Sequence, residues 1–246
     1  MFKVGDLVSR NSYNNDVVFK INKIIDDKAY LTGVNVRLCA DSDLVDLTLE
    51  DTIEKDERFY SKLDDIRKSE RVDYFYIPGK ILHIDGDKEY LNRCLNFYKK
   101  ANILAYGIYS PEEQMPENIK KYMSDVNPDI VVITGHDSNI KNNSKYFSET
   151  VKECRKFQKD YDKLIIIAGA CQSDYEKLIK SGANFASSPK RVNIHALDPA
   201  IIAVTLSLLD KNKNVDLLEL LEKTSNGKDG MGGVNTKGVM NIGYPR

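Results

Sequence analysis

Two residues suited to nucleophilic chemistry each follow an apolar block of this sequence. His136 follows residues 130–135, and Cys171 follows residues 164–170. A thiol is mostly protonated near neutral pH, and a nearby imidazole can take its proton or stabilise the thiolate. A Cys/His pair is therefore a minimal acyl-transfer device, with the imidazole also able to protonate a leaving amine.

Both apolar blocks are predicted to be buried parallel strands. They are short and rich in β-branched residues, and a helix-length polar segment separates them, which is typical of a βαβ unit. The carboxyl ends of neighbouring parallel strands lie at one edge of the sheet, where loops build active sites. We therefore expect His136 and Cys171 to meet there. A cysteine at a strand end more often serves packing alone, but the histidine favours catalysis here.

The surrounding sequence predicts more of the same sheet. Apolar runs at residues 81–84, 103–108 and 184–187 are predicted strands. Predicted helices cover about residues 88–100, 117–125, 144–159, 173–181 and 199–209. Strands separated by helices indicate an α/β fold, with a mostly parallel sheet covered on both faces.

We divide the chain into four parts. Residues 1–50 alternate apolar and polar side chains between turn signals and predict a small SH3-like β-barrel, with strands at 4–8, 17–21 and 29–31. Residues 51–78 form a charged linker with a helix, and residues 79–225 the α/β domain. The tail at 226–246 is glycine-rich, so it is expected to be mobile or to wrap around the domain. Two roles are open for the barrel: it recruits other chains, or it is a structural cap packed on the second domain.

Composition narrows the classes of function. The 246 residues are 41% hydrophobic with a formal charge of −1, which predicts a soluble protein and argues for neither nucleic acid nor membrane as partner. No signal peptide is recognised, so we expect a cytoplasmic protein. The four cysteines and three histidines are scattered. They predict no disulfide framework, metal site or cofactor.

Several motifs resemble a known family. Thr134-Gly135-His136-Asp137, the 168–173 segment AGACQS and the 182–189 segment GANFASSP resemble the YabG family of sporulation-specific cysteine peptidases, within the caspase-like clan. The start, FKVGD at 2–6, extends the likeness to most of the chain. In two departures, Asp137 stands where the wider clan usually has glycine, and the connection from His136 to Cys171 is shorter than in YabG relatives.

The resemblance implies a caspase-like fold and a cysteine endopeptidase. It implies that the enzyme acts in the mother cell of a sporulating bacterium and is associated with the spore coat. The substrates would be spore-coat or spore-associated proteins, cut after arginine. Neither the resemblance nor the residues predict the oligomeric state.

Within this reading, the backbone N–H groups of Asp137 and Cys171 are expected to form the oxyanion hole, because strand-end turns expose unpaired donors. The Asp137 side chain could orient the imidazole or cap a turn, and the cap is the more frequent role.

An arginine in a partly dry pocket needs a carboxylate partner. Four carboxylates are predicted on the correct edge: Asp85, Asp87, Asp174 and Asp198. The last two have capping explanations. We therefore predict Asp85, with Asp87 second, at the base of the arginine pocket (S1).

Two other functions remain open from the sequence. A loose likeness of residues 169–173 to a nucleophile elbow permits a glutaminase-like amidase with a Cys171/His195 pair. The second open function is that of a non-enzymatic spore-coat adaptor protein recruited through its barrel.

Overall fold

The structure is a computed structural model that describes residues 2–51, 60–63, 75–137 and 143–244. The predicted linker helix falls largely outside the described residues, which include only one helical turn of that region, at 60–63. No helix in the described ranges is long and apolar enough to cross a membrane.

The amino-terminal residues form a five-stranded antiparallel sheet in the order β4-β3-β2-β1-β5. Its strands are β1 (Leu7–Arg10), β2 (Phe19–Ile25), β3 (Lys28–Gly33), β4 (Cys39–Asp43) and β5 (Leu47–Leu49). The alternation in β2 buries Phe19 and Ile21 and exposes Lys20. The first strand begins later than predicted, because Gly5 turns the chain with φ +97°. β4, of sequence CADSD, shows no apolar alternation, so the sequence did not reveal it.

A six-stranded sheet forms the centre of the molecule, in the order β12-β11-β10-β9-β7-β8. All its pairs are parallel except β11 with β12. Its strands are β7 (Ile81–Asp85), β8 (Ala105–Tyr109), β9 (Ile130–Thr134), β10 (Ile165–Ala168), β11 (Phe185–Ser187) and β12 (Met231–Gly233). The helices are α1 (Lys88–Lys100), α2 (Met115–Val126), α3 (Ser144–Phe157), α4 (Tyr175–Ser181), α5 (Asp198–Ser207), α6 (Leu217–Glu222) and α7 (Gly227–Gly230).

Successive residues of the central strands serve two separate cores. Ile81, Val132 and Ile165 pack in one core with residues of α1 and α5, whereas Val131 and Ile166 pack in the other with residues of α2, α3 and α4. Strands that are apolar at every position match this two-faced burial. The predicted fold, a mostly parallel sheet with helices on both faces behind a small barrel-like sheet, is confirmed.

The carboxyl-terminal segment wraps around the domain over the residues that the structure describes, which end at 244. β12 extends the central sheet with Met231 fully buried. Further on, β13 (Asn241–Gly243) pairs with β6 (Phe75–Ile77), which lies in the stretch predicted to be linker. The glycines predicted a tail that is either mobile or wrapped around the domain. The strand pairings of β12 and β13 show that the tail wraps around the domain.

The barrel-like sheet shares its core with the central domain. Val8, Phe19 and Leu31 belong to the same apolar cluster as Leu197 and Ile201. The connection between β3 and β4 also forms isolated bridges with the domain, Val36 with His195 and Leu38 with Asp137. That connection therefore reaches the carboxyl edge of the central sheet.

The turn after β10 depends on Gly169. This residue has φ +114°, and an added Cβ would lie 2.2 Å from the hydroxyl oxygen of Ser187. Left-handed backbone is strained for residues with a Cβ, and the buried Ser187 offers little room.

We expect Gly169→Ala to lower the free energy of unfolding by ~2–4 kcal/mol, because backbone strain and overpacking combine. Gly5→Ala is the matched control, since it shares the positive φ but has nothing within 4 Å of the added Cβ. Urea unfolding measures both. Equal losses for the two variants would show that the contact with Ser187 is unimportant.

Candidate active site

His136 and Cys171 follow neighbouring strands at the same edge of the sheet. β9 and β10 are paired in parallel, with Ile133 opposite Ala168. His136 comes two residues after β9, and Cys171 three residues after β10. The structure thus brings both residues to one edge, and it shows a segment of the barrel between them.

The imidazole of His136 is held by Asp87. The ring Nε2 lies 2.9 Å from Asp87 Oδ2, and the main-chain N–H of His136 donates to Glu112. The Tyr90 ring packs beside the imidazole at 5.2 Å between centroids. Nδ1 is buried, and no group in the described part of the chain hydrogen-bonds to it. Because Asp87 engages Nε2, Nδ1 is the ring nitrogen left to exchange a proton with a reacting group.

The charge state of His136 follows from these neighbours. Burial disfavours the charged ring, but the Asp87 carboxylate and the adjacent Cys39 thiol outweigh burial and raise the pKa of His136 to about 9. The same pairing lowers the pKa of Asp87 against the effect of its own burial. The ring is thus charged at neutral pH.

Cys171 is fully buried. Its Sγ accepts the N–H of Ile194 at 3.2 Å and lies 3.6 Å from the carbonyl oxygen of the same residue. Burial raises the pKa of this thiol to about 12, although nearby Arg37 acts in the opposite direction. Cys171 is therefore a protonated thiol in this arrangement.

The backbone around Cys171 turns sharply. Gln172 has φ +60°, a strained value for a residue with a side chain, and its N–H donates to Ser188. The Ser173 hydroxyl accepts the N–H of Ala170 and donates to Asp137. Strained turns of this kind are frequent at active sites.

The Asp137 carboxylate ties the two loops together. It accepts the main-chain N–H of Asn143 at 2.7 Å and the hydroxyls of Ser144 and Ser173. It thus fixes the backbone just before α3 and binds the loop of Cys171. The imidazole of His136 is contacted by Asp87.

Asp85 lies in a buried polar network. Its Oδ2 accepts Arg37 Nη1 at 2.8 Å and the Thr134 hydroxyl at 2.8 Å. Thr134 in turn contacts His83, whose other ring nitrogen contacts Tyr98. Burial acts to raise the pKa of Asp85, but the Arg37 guanidinium outweighs it and lowers that pKa well below its usual range.

The other predicted carboxylates have local roles. Asp87 accepts N–H groups at the start of α1 in addition to contacting His136, which leaves it poorly placed to bind an arginine. Asp174 caps α4, and buried Asp198 accepts the N–H groups of His195 and Ser225. Asp85 alone among the four predicted carboxylates holds a guanidinium.

His195 lies beside the site with its ring already engaged. Its Nδ1 accepts the N–H of Leu197, and its main chain pairs with Val36. Over residues 2–51, 60–63, 75–137 and 143–244, no group of three or more His, Cys, Asp or Glu could hold a metal ion.

Sequence reasoning missed Arg37, Glu112 and the contact of Asp87 with His136. Asp85 and Arg37 are 48 positions apart, so no local spacing revealed their pairing. The Asp-Gly-Asp run at 85–87 was the one available signal.

A titration tests the state of His136. We expect its ring to titrate near pH 9 by NMR, and Asp87→Asn to lower that pKa, because only the Cys39 thiol then opposes the effect of burial. Because the folded pKa is raised, the contribution of charged His136 to stability is complete below pH 6.5 and disappears as pH rises through about 9. His83, whose pKa is lowered by burial, is the internal control. A normal pKa for His136 would contradict the pairing.

Comparison with known proteins identifies the family of this chain. The family model described as YabG peptidase U57 matches residues 3–68 and 52–245. The chain is also 40% identical over 287 aligned residues to the "Sporulation-specific protease YabG" of Bacillus subtilis (strain 168), covering 99% of this chain and 98% of that protein. With a family model and a relative that each span nearly its whole length, the chain belongs to the YabG peptidase family.

Proposed function

We propose that this sporulation protease is a cysteine endopeptidase that cuts after arginine, with Cys171 as nucleophile and His136 as its acid–base partner. One observation carries the proposal. Cys171 and His136 follow adjacent parallel strands, and at the same edge the buried carboxylate of Asp85 already binds the guanidinium of Arg37, a residue that also acts on the Cys171 thiol.

The steps of peptide-bond cleavage can be written from the residues at the carboxyl edge of the central sheet. The charged ring of His136 first releases its Nδ1 proton to solvent. The neutral imidazole then takes the thiol proton of Cys171 on Nδ1, and the thiolate attacks the carbonyl carbon of the scissile bond. Backbone N–H groups of Asp137 and Cys171 bind the oxyanion. The imidazolium then protonates the leaving amine, and water hydrolyses the thioester to release the second product and restore the thiol.

Asp87 is the positioning residue for His136. Its carboxylate holds Nε2 at 2.9 Å, which leaves Nδ1 for the reaction. The carboxylate itself is fixed by two N–H groups at the start of α1. In sites with a nucleophile and a general base, a third residue usually orients the base.

The pocket for the substrate side chain is formed by Asp85 and the carbonyl oxygen of Ala196. These accept Nη1 and Nη2 of Arg37 at 2.8 and 3.0 Å. Two acceptors placed for separate nitrogens suit the planar fork of arginine better than the single ammonium of lysine. The pocket therefore favours arginine.

We infer the biological setting from the sporulation-specific relative named above. We place the protein in the mother-cell cytoplasm with spore-coat or spore-associated proteins as substrates, and with no nucleic acid or membrane partner. The barrel-like sheet of residues 1–50 is assigned a recruiting role beside the peptidase domain of residues 79–225.

Two substitutions test the dyad. We expect Cys171→Ala and His136→Ala each to reduce cleavage of a mixed peptide library by several orders of magnitude, because the two residues act as a unit. Cleavage is read by mass spectrometry, and circular dichroism checks the fold. His195→Ala is the matched control and should retain activity. Loss of activity in His195→Ala with retention in His136→Ala would instead support the amidase-type pair.

Asp85→Asn tests the pocket. It keeps the shape of the side chain but removes its charge, so the preference for arginine over neutral residues should fall by ~2–4 kcal/mol. Cys171 should still react with iodoacetamide. Asp174→Asn is the control, because that carboxylate lies on the same edge but caps a helix. An unchanged preference in Asp85→Asn would refute the assignment.

A further inference from the structure

Arg37 comes from the barrel and yet fills the pocket assigned above to a substrate. Its side chain is fully buried. It donates to Asp85, to the carbonyl of Ala196 and, at 3.7 Å, to the sulfur of Cys94. We call residues 34–39, which carry it, the Arg37 segment.

The main chain of the Arg37 segment lies as an added strand along residues 194–196. Val36 and His195 form an antiparallel bridge. Ala196 donates its N–H to Asn35 at 2.8 Å, and Arg37 donates to Ile194 at 3.4 Å. Extended peptides commonly bind in this way, with main-chain bonds giving affinity and alternate side chains entering pockets.

The segment then passes between the two proposed catalytic residues. The backbone of Arg37 lies against the thiol of Cys171, and the Cys39 thiol lies against the imidazole of His136. Between these two positions, Leu38 forms a bridge with Asp137. A substrate cut after arginine would have to run along this same line.

Open clefts lie at both ends of the segment. One, of about 350 Å³, is lined by Asn35, Val36 and His195. The other, of about 490 Å³, is lined by Leu38, Cys39 and Gln172. A groove that continues on both sides of the scissile position is what an endopeptidase requires.

We propose that the Arg37 segment is a built-in pseudosubstrate that occupies the cleft and keeps the peptidase latent until an arginine of a protein substrate displaces it. This inference rests on the proposed function. Exchange is physically feasible, because the incoming guanidinium replaces the outgoing one on Asp85 and leaves no buried charge unpaired.

Two features agree with a latent state. Cys171 is inaccessible, and its thiol and the charged His136 are both protonated at neutral pH, so no thiolate is present. The segment is also held from α1, since Arg93 donates to the Val34 carbonyl at 2.7 Å and the Tyr90 hydroxyl donates to the Gly33 carbonyl. These upstream contacts can keep the segment close after Arg37 has left.

The first test removes the occupant. We expect Arg37→Ala to raise both the rate of Cys171 alkylation by iodoacetamide and kcat/KM for an arginyl peptide by about tenfold or more, since substrate no longer competes with the segment. Arg155→Ala is the matched control, because Arg155 is partly buried and also donates to carbonyl groups but lies away from the cleft. Unchanged rates in a folded Arg37→Ala protein would make Arg37 a structural clamp and overturn the proposal.

The second test uses the unmodified chain and does not depend on the folding of the variant. An arginyl chloromethyl ketone is attached to Cys171, and hydrogen exchange of residues 34–39 is measured by mass spectrometry. We expect faster exchange in this segment than in the untreated protein. A segment that stays protected after Cys171 has been modified would overturn the inference.

The two proposals can fail separately. If neither the unmodified chain nor Arg37→Ala cleaves arginyl peptides or reacts at Cys171, the proposed function fails. If the unmodified chain cleaves them and removal of Arg37 changes nothing, only the pseudosubstrate fails.

Discussion

The buried ion pair of Arg37 and Asp85 is the interaction on which the rest of the site depends. Both side chains are fully excluded from solvent, and removing two charges from water is unfavourable unless their mutual attraction and further hydrogen bonds compensate it. Asp85 is accordingly satisfied by Arg37, Thr134 and the N–H of Asp87. Loss of one partner would leave the other as a buried, uncompensated charge.

This pair joins the two sheets of the molecule. Arg37 belongs to the connection between two barrel strands, and Asp85 is the last residue of β7 in the central sheet. Apolar packing alone would attach the barrel to the domain in a non-directional way, because hydrophobic burial has little geometric preference. The ion pair and the main-chain bonds along 194–196 supply the direction, and they place the connection in the cleft.

The electrostatics of the closed site have the same origin. Covering the sheet edge buries Cys171, which raises the pKa of its thiol, and places the Cys39 thiol beside His136. A nucleophile needs thiolate character, whereas burial without a strong positive partner opposes it. Under the proposed mechanism, the conformation that satisfies Arg37 disfavours reaction at Cys171, and the access of solvent and substrate to this thiol depends on the position of the Arg37 segment.

The sequence by itself determined the strand–helix alternation, the two-faced apolar sheet and the placement of His136, Cys171 and Asp85 at or just after the ends of strands. These follow from local patterns, because periodicity and strand-end position are written in adjacent residues. The family motifs were readable for the same reason. Only the tertiary structure decided that Asp87 holds His136, that Asp137 joins two loops and that Arg37 pairs with Asp85. Each of these contacts joins residues far apart in the chain, from 36 positions for Asp137 and Ser173 to 49 for Asp87 and His136, so no local pattern could reveal it.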